Sequence, residues 1–437
     1  MARSALYPAS VQPGKPRLDP PPPGWFTVTL RELMDVVERP AELLDDQVYQ
    51  LVTARRSRGG IVARDRLTGR EILTKSQFFI KEGDFLISNR QIVHGGCGLV
   101  PSNLDGAIVS NEYTVLRATS RLLPEFLQYL SHSIYLQQTF FQASVGVDVE
   151  KMVFDSDQWL SYRVNLPPLP EQRKIIEILD SVENVIRVTQ EIIEQATKVK
   201  DSTLAALFMG RKGHAEYKSV GDWRIGRLPT DIIPRTWRIA KLADVSRLES
   251  GHTPSRKVAE YWDGDIPWLS LHDTKSLSER VIFETEQKTT ALGIENSSAR
   301  ILPAGTVAFS RTASVGHCVI MGREMATSQD FANYICGDEI NNRFLMHLLR
   351  FMAPVWAKLS SGSTHQTVYM PVFEQLQIAL PPMEEQLKIA EVADAFFDFI
   401  EAQERQVKRL SAMKSALIPE LLTGRKRVNT DLPIAAE

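Results

Sequence analysis

The sequence predicts an α+β protein: two similar α/β heads separated by two long antiparallel coiled-coil helices, with the halves related by an internal pseudo-twofold repeat. Three observations lead there. Leu166-Pro167-Pro168-Leu169-Pro170-Glu171-Gln172-Arg173-Lys174-Ile175 matches Leu380-Pro381-Pro382-Met383-Glu384-Glu385-Gln386-Leu387-Lys388-Ile389 at seven of ten positions, and the 214-residue offset (166 to 380) persists to Gly210-Arg211-Lys212 and Gly424-Arg425-Lys426. Between these markers each copy has about 39 residues with apolar side chains in steps of four and three, the heptad signature of a helix. Before each lies a stretch of short apolar runs divided by glycine turns, as strands are.

In chain order, residues 1–23 hold seven prolines and are expected to be disordered or polyproline-like. The first head spans 24–165 and the second 236–379. Pro23-Gly24-Trp25 answers Arg235-Thr236-Trp237, residues 82–88 answer 304–310, and 109–113 answer 327–331. Each set is followed by a helical piece, 124–141 or 343–359. The Pro-Pro pairs can continue neither a ladder nor a helix interior, so they close each head. The spans 166–212 and 380–427 carry the long helices, expected over 171–210 and 385–424, or roughly 58 Å each at 1.5 Å per residue. Glu171 and Glu385 suit the positive end of the helix dipole, and Gly210 and Gly424 read as stops. A polar connector, 213–235, links the copies, and 428–437 is a tail.

Helices of that length need a partner face in water. The seam comprises Ile175, Leu179, Val182, Ile186, Ile193 and Leu207 in one copy, and Ile389, Phe396, Ile400, Val407, Leu410, Leu417 and Leu421 in the other. Polar residues interrupt it at equivalent places, Thr189/Gln403 and Lys200/Lys414. Matched interruptions favour packing of the helices on each other over packing of each on its own head.

At 437 residues and 49.2 kDa the chain exceeds one ordinary core. Lys+Arg number 51 against 53 Asp+Glu, which excludes a uniformly basic coat but not a local basic surface. Three cysteines without C-x-x-C spacing exclude a disulfide framework and point to a reducing, cytoplasmic setting. No apolar run reaches the roughly 18 residues of a membrane span.

Chemistry is sparse. No G-x-x-x-x-G-K-[ST] cradle exists for a nucleotide. Glu216-Tyr217-Lys218 is half of a carboxylate-lysine nuclease motif without an acidic partner, and Asp19-Pro20-Pro21-Pro22 lacks the aromatic of a methyltransferase loop. The eight histidines never take metal-ligand spacing. No catalytic residue and no metal site are expected.

Binding is better represented. Between Arg55 and Arg90 lie nine Lys/Arg against four acids, and Arg55, Arg56, Arg58, Arg64, Arg66 and Arg90, with His94, are candidate contacts to double-stranded DNA. In the second head the candidates are Thr253, Ser255, Arg256 and Lys257 in one glycine-led loop, Arg311 and Thr312 in another, and Ser363, Thr364, His365 and Gln366 in a third. Their short donors and acceptors can read base edges. Trp262 and Trp268 read as core or loop anchors and not as base-stacking groups. A coiled-coil scaffold with protein- or sugar-binding heads is the second reading, and a nuclease acting alone the third.

Leu-Pro-Pro-x-x-Glu-Gln-x-x-Ile opening a long helix that ends in Gly-Arg-Lys, present twice, resembles the specificity subunit of type I restriction-modification systems. So do Trp237, Gly251-x-Thr253-Pro254-Ser255, Tyr261-Trp262 and Ile266-Pro267-Trp268. The likeness covers about residues 24–427. It implies two target recognition domains, conserved spacer helices at 171–210 and 385–424, two methyltransferase subunits and two motor-nuclease subunits. It also implies that S-adenosylmethionine, ATP and Mg act on those partners, none being bound by this chain. Val145-Gly146-Val147-Asp148 departs from the family's Gly-Ser-Thr loop. Two heads on an antiparallel rod should read a split, asymmetric DNA target whose unread gap is at most about 17 base pairs.

Overall fold

A computed structural model of the chain describes residues 7, 8, 10–273, 275–360 and 367–430. It divides into two compact units, Met1–Gln190 with Arg405–Glu437, and Glu191–Glu404. Each unit therefore holds one head, the N-terminal half of the long helix that follows it, and the C-terminal half of the other.

The first head is built on an antiparallel sheet in the order Met34–Val36, Tyr113–Ala118, Phe85–Ser88, Cys97–Leu99. The second repeats that order with Ser246–Ser250, Phe331–Cys336, Val307–Ser310 and Cys318–Met321, and adds Val281–Ile282 in parallel at the edge. Phe85–Ser88 and Val307–Ser310 are buried on both faces, which is why they read as unbroken apolar runs. A two-stranded pair joins the start of each head to its end: Phe26–Thr29 with Arg163–Leu166, and Arg238–Lys241 with Gln377–Leu380. The heads diverge in their second sheets. The first has five strands, ordered Pro40–Ala41, Gln77–Phe79, Ile108–Ser110, Val48–Ala54, Ile61–Thr68; the second has Lys288–Thr289, Trp262–Leu269 and Ala326–Thr327.

Several expectations are corrected. Each helical piece is two helices, Pro124–Leu130 with Ile134–Gln142, and Asn342–Phe351 with Ala353–Ser360. Ser133 starts a new helix by accepting the Leu136 N–H at 3.2 Å, and Pro354 lacks the donor that would carry the preceding helix on. The leader is not disordered over its described residues: Val11 is buried, Tyr7 meets Phe141 edge-on, and the Gln142 amide donates to the Gly14 carbonyl at 2.9 Å. The connector is folded as well. Val220, Trp223 and Leu228 enter the core of the second head, and the Trp223 indole donates to the Gln377 carbonyl at 3.1 Å. Apolar side chains spaced among the prolines and glycines supply enough burial to hold both segments.

The long helices run Leu169–Phe208 and Met383–Leu422, 40 residues each, both two residues earlier than expected. Amides of Glu171 and Gln172 donate to the Pro168 carbonyl, and those of Glu385 and Gln386 to Pro382. Pro170 lies in the first turn, where an amide donor is not needed. Gly210 (φ +62) and Gly424 (φ +67) follow the helices instead of ending inside them. The Gly210 N–H reaches the Leu207 carbonyl at 3.0 Å and the Arg211 N–H reaches Ala206 at 2.8 Å, satisfying the last carbonyls.

Each head takes in both helices. In the first unit, Ile175 and Leu179 share a core with Leu421, Leu422, Phe126 and Leu127. In the second, Ile389 and Ala393 share one with Leu204, Phe208, Phe344 and Leu348. Val182 is buried, while Ile186, Ile193, Leu207, Phe396, Ile400, Val407, Leu410 and Leu417 are partly covered. At the end of the first helix Leu204 and Phe208 lie deeper than Leu207, because a helix of 3.6 residues per turn drifts from a 3.5-residue repeat. Glu183 pairs with Lys414 at 2.5 Å in the first unit, and Lys200 sits 5.1 Å over the Phe397 ring in the second.

The helix starts are locked to the heads by a duplicated clamp. Gln172, fully buried, accepts from the Leu123 N–H (2.9 Å) and donates to the Arg121 and Pro167 carbonyls (3.0 and 2.9 Å). Gln386 does the same with the Asn341 N–H, Glu339 and Pro381, each at 2.9 Å. The Trp25 indole donates to Glu171 (2.9 Å) and that of Trp237 to Glu385 (2.8 Å). Gln386→Leu keeps the volume but strands one N–H and two carbonyls, and should destabilise the chain by about 2–4 kcal/mol. A thermal unfolding midpoint within error of wild type would refute that.

Candidate nucleic-acid interface

In the first head the basic stretch forms a hairpin, Val48–Ala54 against Ile61–Thr68, whose tip is Arg55–Gly60. Two consecutive non-glycine residues there are left-handed, Ser57 (φ 57) and Arg58 (φ 59), a conformation kept only where the surroundings hold it. The hold comes from Arg58: its amide donates to the Gly95 carbonyl (2.9 Å) and its Nε to the Ser131 carbonyl (3.0 Å). Burial pulls its pKa below the ordinary arginine value. Arg58 is thus a structural post, and not one of three free forks.

Its neighbours differ. Arg56 donates to Gln91 Oε1 (2.7 Å) and pairs with Glu150 (2.7 Å), whose carboxyl it holds below the usual range. Arg90 pairs with Glu112 at 2.6 Å and Arg64 with Asp65 at 3.2 Å. Arg55 and Arg66 are exposed and make no side-chain hydrogen bond or ion pair among the described residues. His94, expected as a contact, is fully buried: Ser10 Oγ lies 3.2 Å from Nδ1 and Glu150 Oε1 3.3 Å from Nε2, and burial lowers its pKa. A ring without exposed surface cannot meet DNA unless this contact opens. The divergent 145–148 segment forms the tip of a small hairpin, Ser144–Val145 with Val153–Phe154, and presents Val147 fully to solvent.

In the second head, loop 251–257 is pinned from beneath. The Trp268 indole donates to the His252 carbonyl (3.1 Å) and the Trp262 indole to the Ser255 carbonyl (3.2 Å), so both act as anchors. The His252 N–H reaches the Thr327 carbonyl at 2.9 Å. Gly251 is obligatory here, since a Cβ would stand 2.0 Å from the Ser328 carbonyl oxygen. Thr253 donates to Gln329 Oε1; Ser255, Arg256 and Lys257 are exposed. Arg311 is a clamp, its Nε on the Gln329 carbonyl (2.9 Å) and Nη1 on Val368 (3.3 Å), and Thr312 bridges Thr367. Ser363, Thr364, His365 and Gln366 lie outside the described residues.

The two heads present matching loops. Tyr113 pairs with Ser88 and Phe331 with Ser310, so the segments after Ser88 and Ser310 lie beside the turns 111–112 and 329–330. Asn89, Arg90 and Gln91 with Asn111 and Glu112 occupy in one head the place of Arg311 and Thr312 with Gln329 and Asp330 in the other. The scaffold is repeated and the side chains facing outward are changed.

Residues 22–198 and 234–411 match the family model of the type I restriction modification DNA specificity domain. The chain belongs to that family. Each match takes in one head and most of the helix after it. The chain is 33% identical over 188 residues to the type I restriction enzyme MjaIX specificity subunit of Methanocaldococcus jannaschii, covering 42% of this chain and 44% of that one. It is 25% identical over 431 residues to the MjaVIII specificity subunit of the same organism, covering 93% and 94%. Its fold resembles that of a chain in a solved structure of a type I R-M system, with TM-score 0.59 and 21% identity over 92% of this chain and 99% of that one.

As a specificity subunit it is a DNA-recognition protein with two recognition domains, which sets aside the scaffold with protein- or sugar-binding heads. Among the described residues no group of three or more His, Cys, Asp or Glu could hold a metal, and no helix is long and apolar enough to cross a membrane. Sequence reasoning missed Gln91, Glu112, Glu150, Gln287 and Gln329. The repeat alignment of 109–113 with 327–331 was a usable signal for Glu112 and Gln329. Glu150 had none, because its partner Arg56 is 94 residues away.

Proposed function

We propose that this specificity subunit reads a split, asymmetric DNA target, one half per recognition domain, with the two long helices forming an antiparallel coiled-coil spacer about a pseudo-twofold axis. The observation carrying this is the repeated helix contact. Adding 214 to Glu183 gives Phe397, and adding it to Lys200 gives Lys414. The Glu183–Lys414 and Lys200–Phe397 contacts are therefore the same contact made twice with the helices exchanged, as a twofold-related antiparallel pair requires. The diverged side chains on matching loops support different half-sites.

Each helix also carries a second apolar stripe that its own unit leaves open. Val185, Val188, Ile192 and Val199 are exposed on the first, Val392, Phe399 and Met413 on the second, and 185/399 and 199/413 are again 214 apart. Such a stripe suits an amphipathic partner helix and is assigned to two methyltransferase subunits, with two motor-nuclease subunits joining that core. S-adenosylmethionine, ATP and Mg are assigned to those partners, and this chain contributes recognition without catalysis.

Methylation mapping at base resolution in DNA from the host should reveal a non-palindromic motif in two parts with an unread gap. A contiguous or palindromic motif would overturn the two-head reading. Inserting one heptad near Ala196, with its match in the other helix, should lengthen the gap; unchanged spacing with intact binding would reject the helices as the ruler.

A further inference from the structure

We propose that Arg256 reads a guanine in the half-site of the second head, an assignment that rests on the DNA-recognition reading above. The arginines of the candidate interface differ in what holds and what neutralises them. Arg56, Arg64 and Arg90 are compensated by carboxylates, Arg58 and Arg311 spend their donors on backbone carbonyls, and Arg55 and Arg66 have no side-chain partner among the described residues and are unheld. Arg256 is both uncompensated and held.

The holding is specific. Trp262 and Trp268 meet at 84° with centroids 4.9 Å apart, and the Arg256 guanidinium lies in that corner, 4.0 Å from the first ring centre and 4.9 Å from the second. Nη2 donates to Gln287 Oε1 at 2.8 Å. Two rings and one hydrogen bond restrain the orientation of the fork, and the side chain has no ion pair among the described residues. Of its five N–H groups, four remain unclaimed among the described residues. The loop beneath is itself pinned by both indoles.

Phosphate oxygens accept from many directions, and a mobile cation such as Arg55 or Lys257 serves them well. Guanine presents O6 and N7 side by side in one plane, and two parallel N–H groups from an oriented guanidinium match them. Fixing the plane in advance lowers the ordering cost only for a contact that needs that plane.

The test uses the complex isolated from its host through a tag on this chain, presented with a randomised duplex library whose bound fraction is sequenced. Wild type must yield a bipartite motif; if it yields none, the DNA-recognition reading fails, and not merely the assignment of Arg256. R256K keeps the charge over the indoles and removes the fork. The expected result is a motif relaxed at one G·C pair of one half-site, with about 10- to 100-fold weaker binding to the original sequence and little change on sequences altered at that pair. R256A should relax the same position. An unchanged motif in R256K, or an even loss across all sequences in R256A, makes Arg256 a phosphate contact and overturns the proposal. So does loss of the whole half-site in R256K.

Discussion

Asp394→Ala is expected to destabilise the second unit by about 3 kcal/mol, near the lower end of what breaking a buried ion pair costs. Asp394 stands on the second long helix and collects three partners from the head: His347 Nε2 at 2.9 Å, Arg280 Nη1 at 3.1 Å and Arg343 Nη1 at 2.9 Å. Arg280 bonds Asp398 as well. His347 is almost fully buried and its Nδ1 lacks a partner among the described residues, so losing Asp394 strands it. Arg280 and Arg343 reach solvent in part and can turn outward, which keeps the loss from being larger.

The same hub sets an acid sensitivity. Burial opposes ionisation of Asp394, but His347 and Arg280 outweigh it and hold the carboxyl at about 2. A depressed carboxylate pKa means that this stabilisation is complete above the ordinary Asp value and fades as pH falls from about 4 toward 2. His347 is also lowered, first by burial, so acid must charge a buried ring and weakens the fold further. Unfolding midpoints from pH 7 to pH 3 should fall more steeply in wild type than in D394N. Parallel curves, or no loss of stability in D394A at pH 7, would remove the hub from the argument.

Gly210→Ala and Gly424→Ala should each cost about 2–4 kcal/mol. Both positions are left-handed, at φ +62 and +67, which costs a residue with a Cβ about 1–2 kcal/mol. Overpacking adds about 1–3 kcal/mol. A Cβ at Gly210 would lie 2.4 Å from Pro234 Cδ and 3.4 Å from the Trp237 ring; at Gly424 it would lie 2.5 Å from Pro22 Cγ and 3.1 Å from the Trp25 ring. The tryptophans are the ones whose indoles hold Glu171 and Glu385, so a shift there loosens each helix start as well. Calorimetry of either variant with a midpoint equal to wild type would show that the backbone relaxes at no cost.

These glycines also show how much was readable beforehand. Helix stops, proline breaks, heptad seams and buried strands depend on backbone physics within a few residues, so the duplicated heads and helices could be laid out from sequence to within two residues at the helix ends. The burial of leader and connector residues was not legible because composition describes the average segment, whereas Val11 is buried and Trp223 joins the core of the second head.

By itself the sequence determined the duplication, the helix spans and the class of ligand, since repetition and local charge are written along the chain. Tertiary structure alone decided which arginines remain available. Glu150 comes to Arg56 from 94 residues away, Ser131 takes Arg58 from 73, and Gln287 with two indoles orients Arg256 from as far as 31. A charge is neutralised, buried or held by whatever the folded chain brings within a few ångströms, and sequence separation carries no information about that distance.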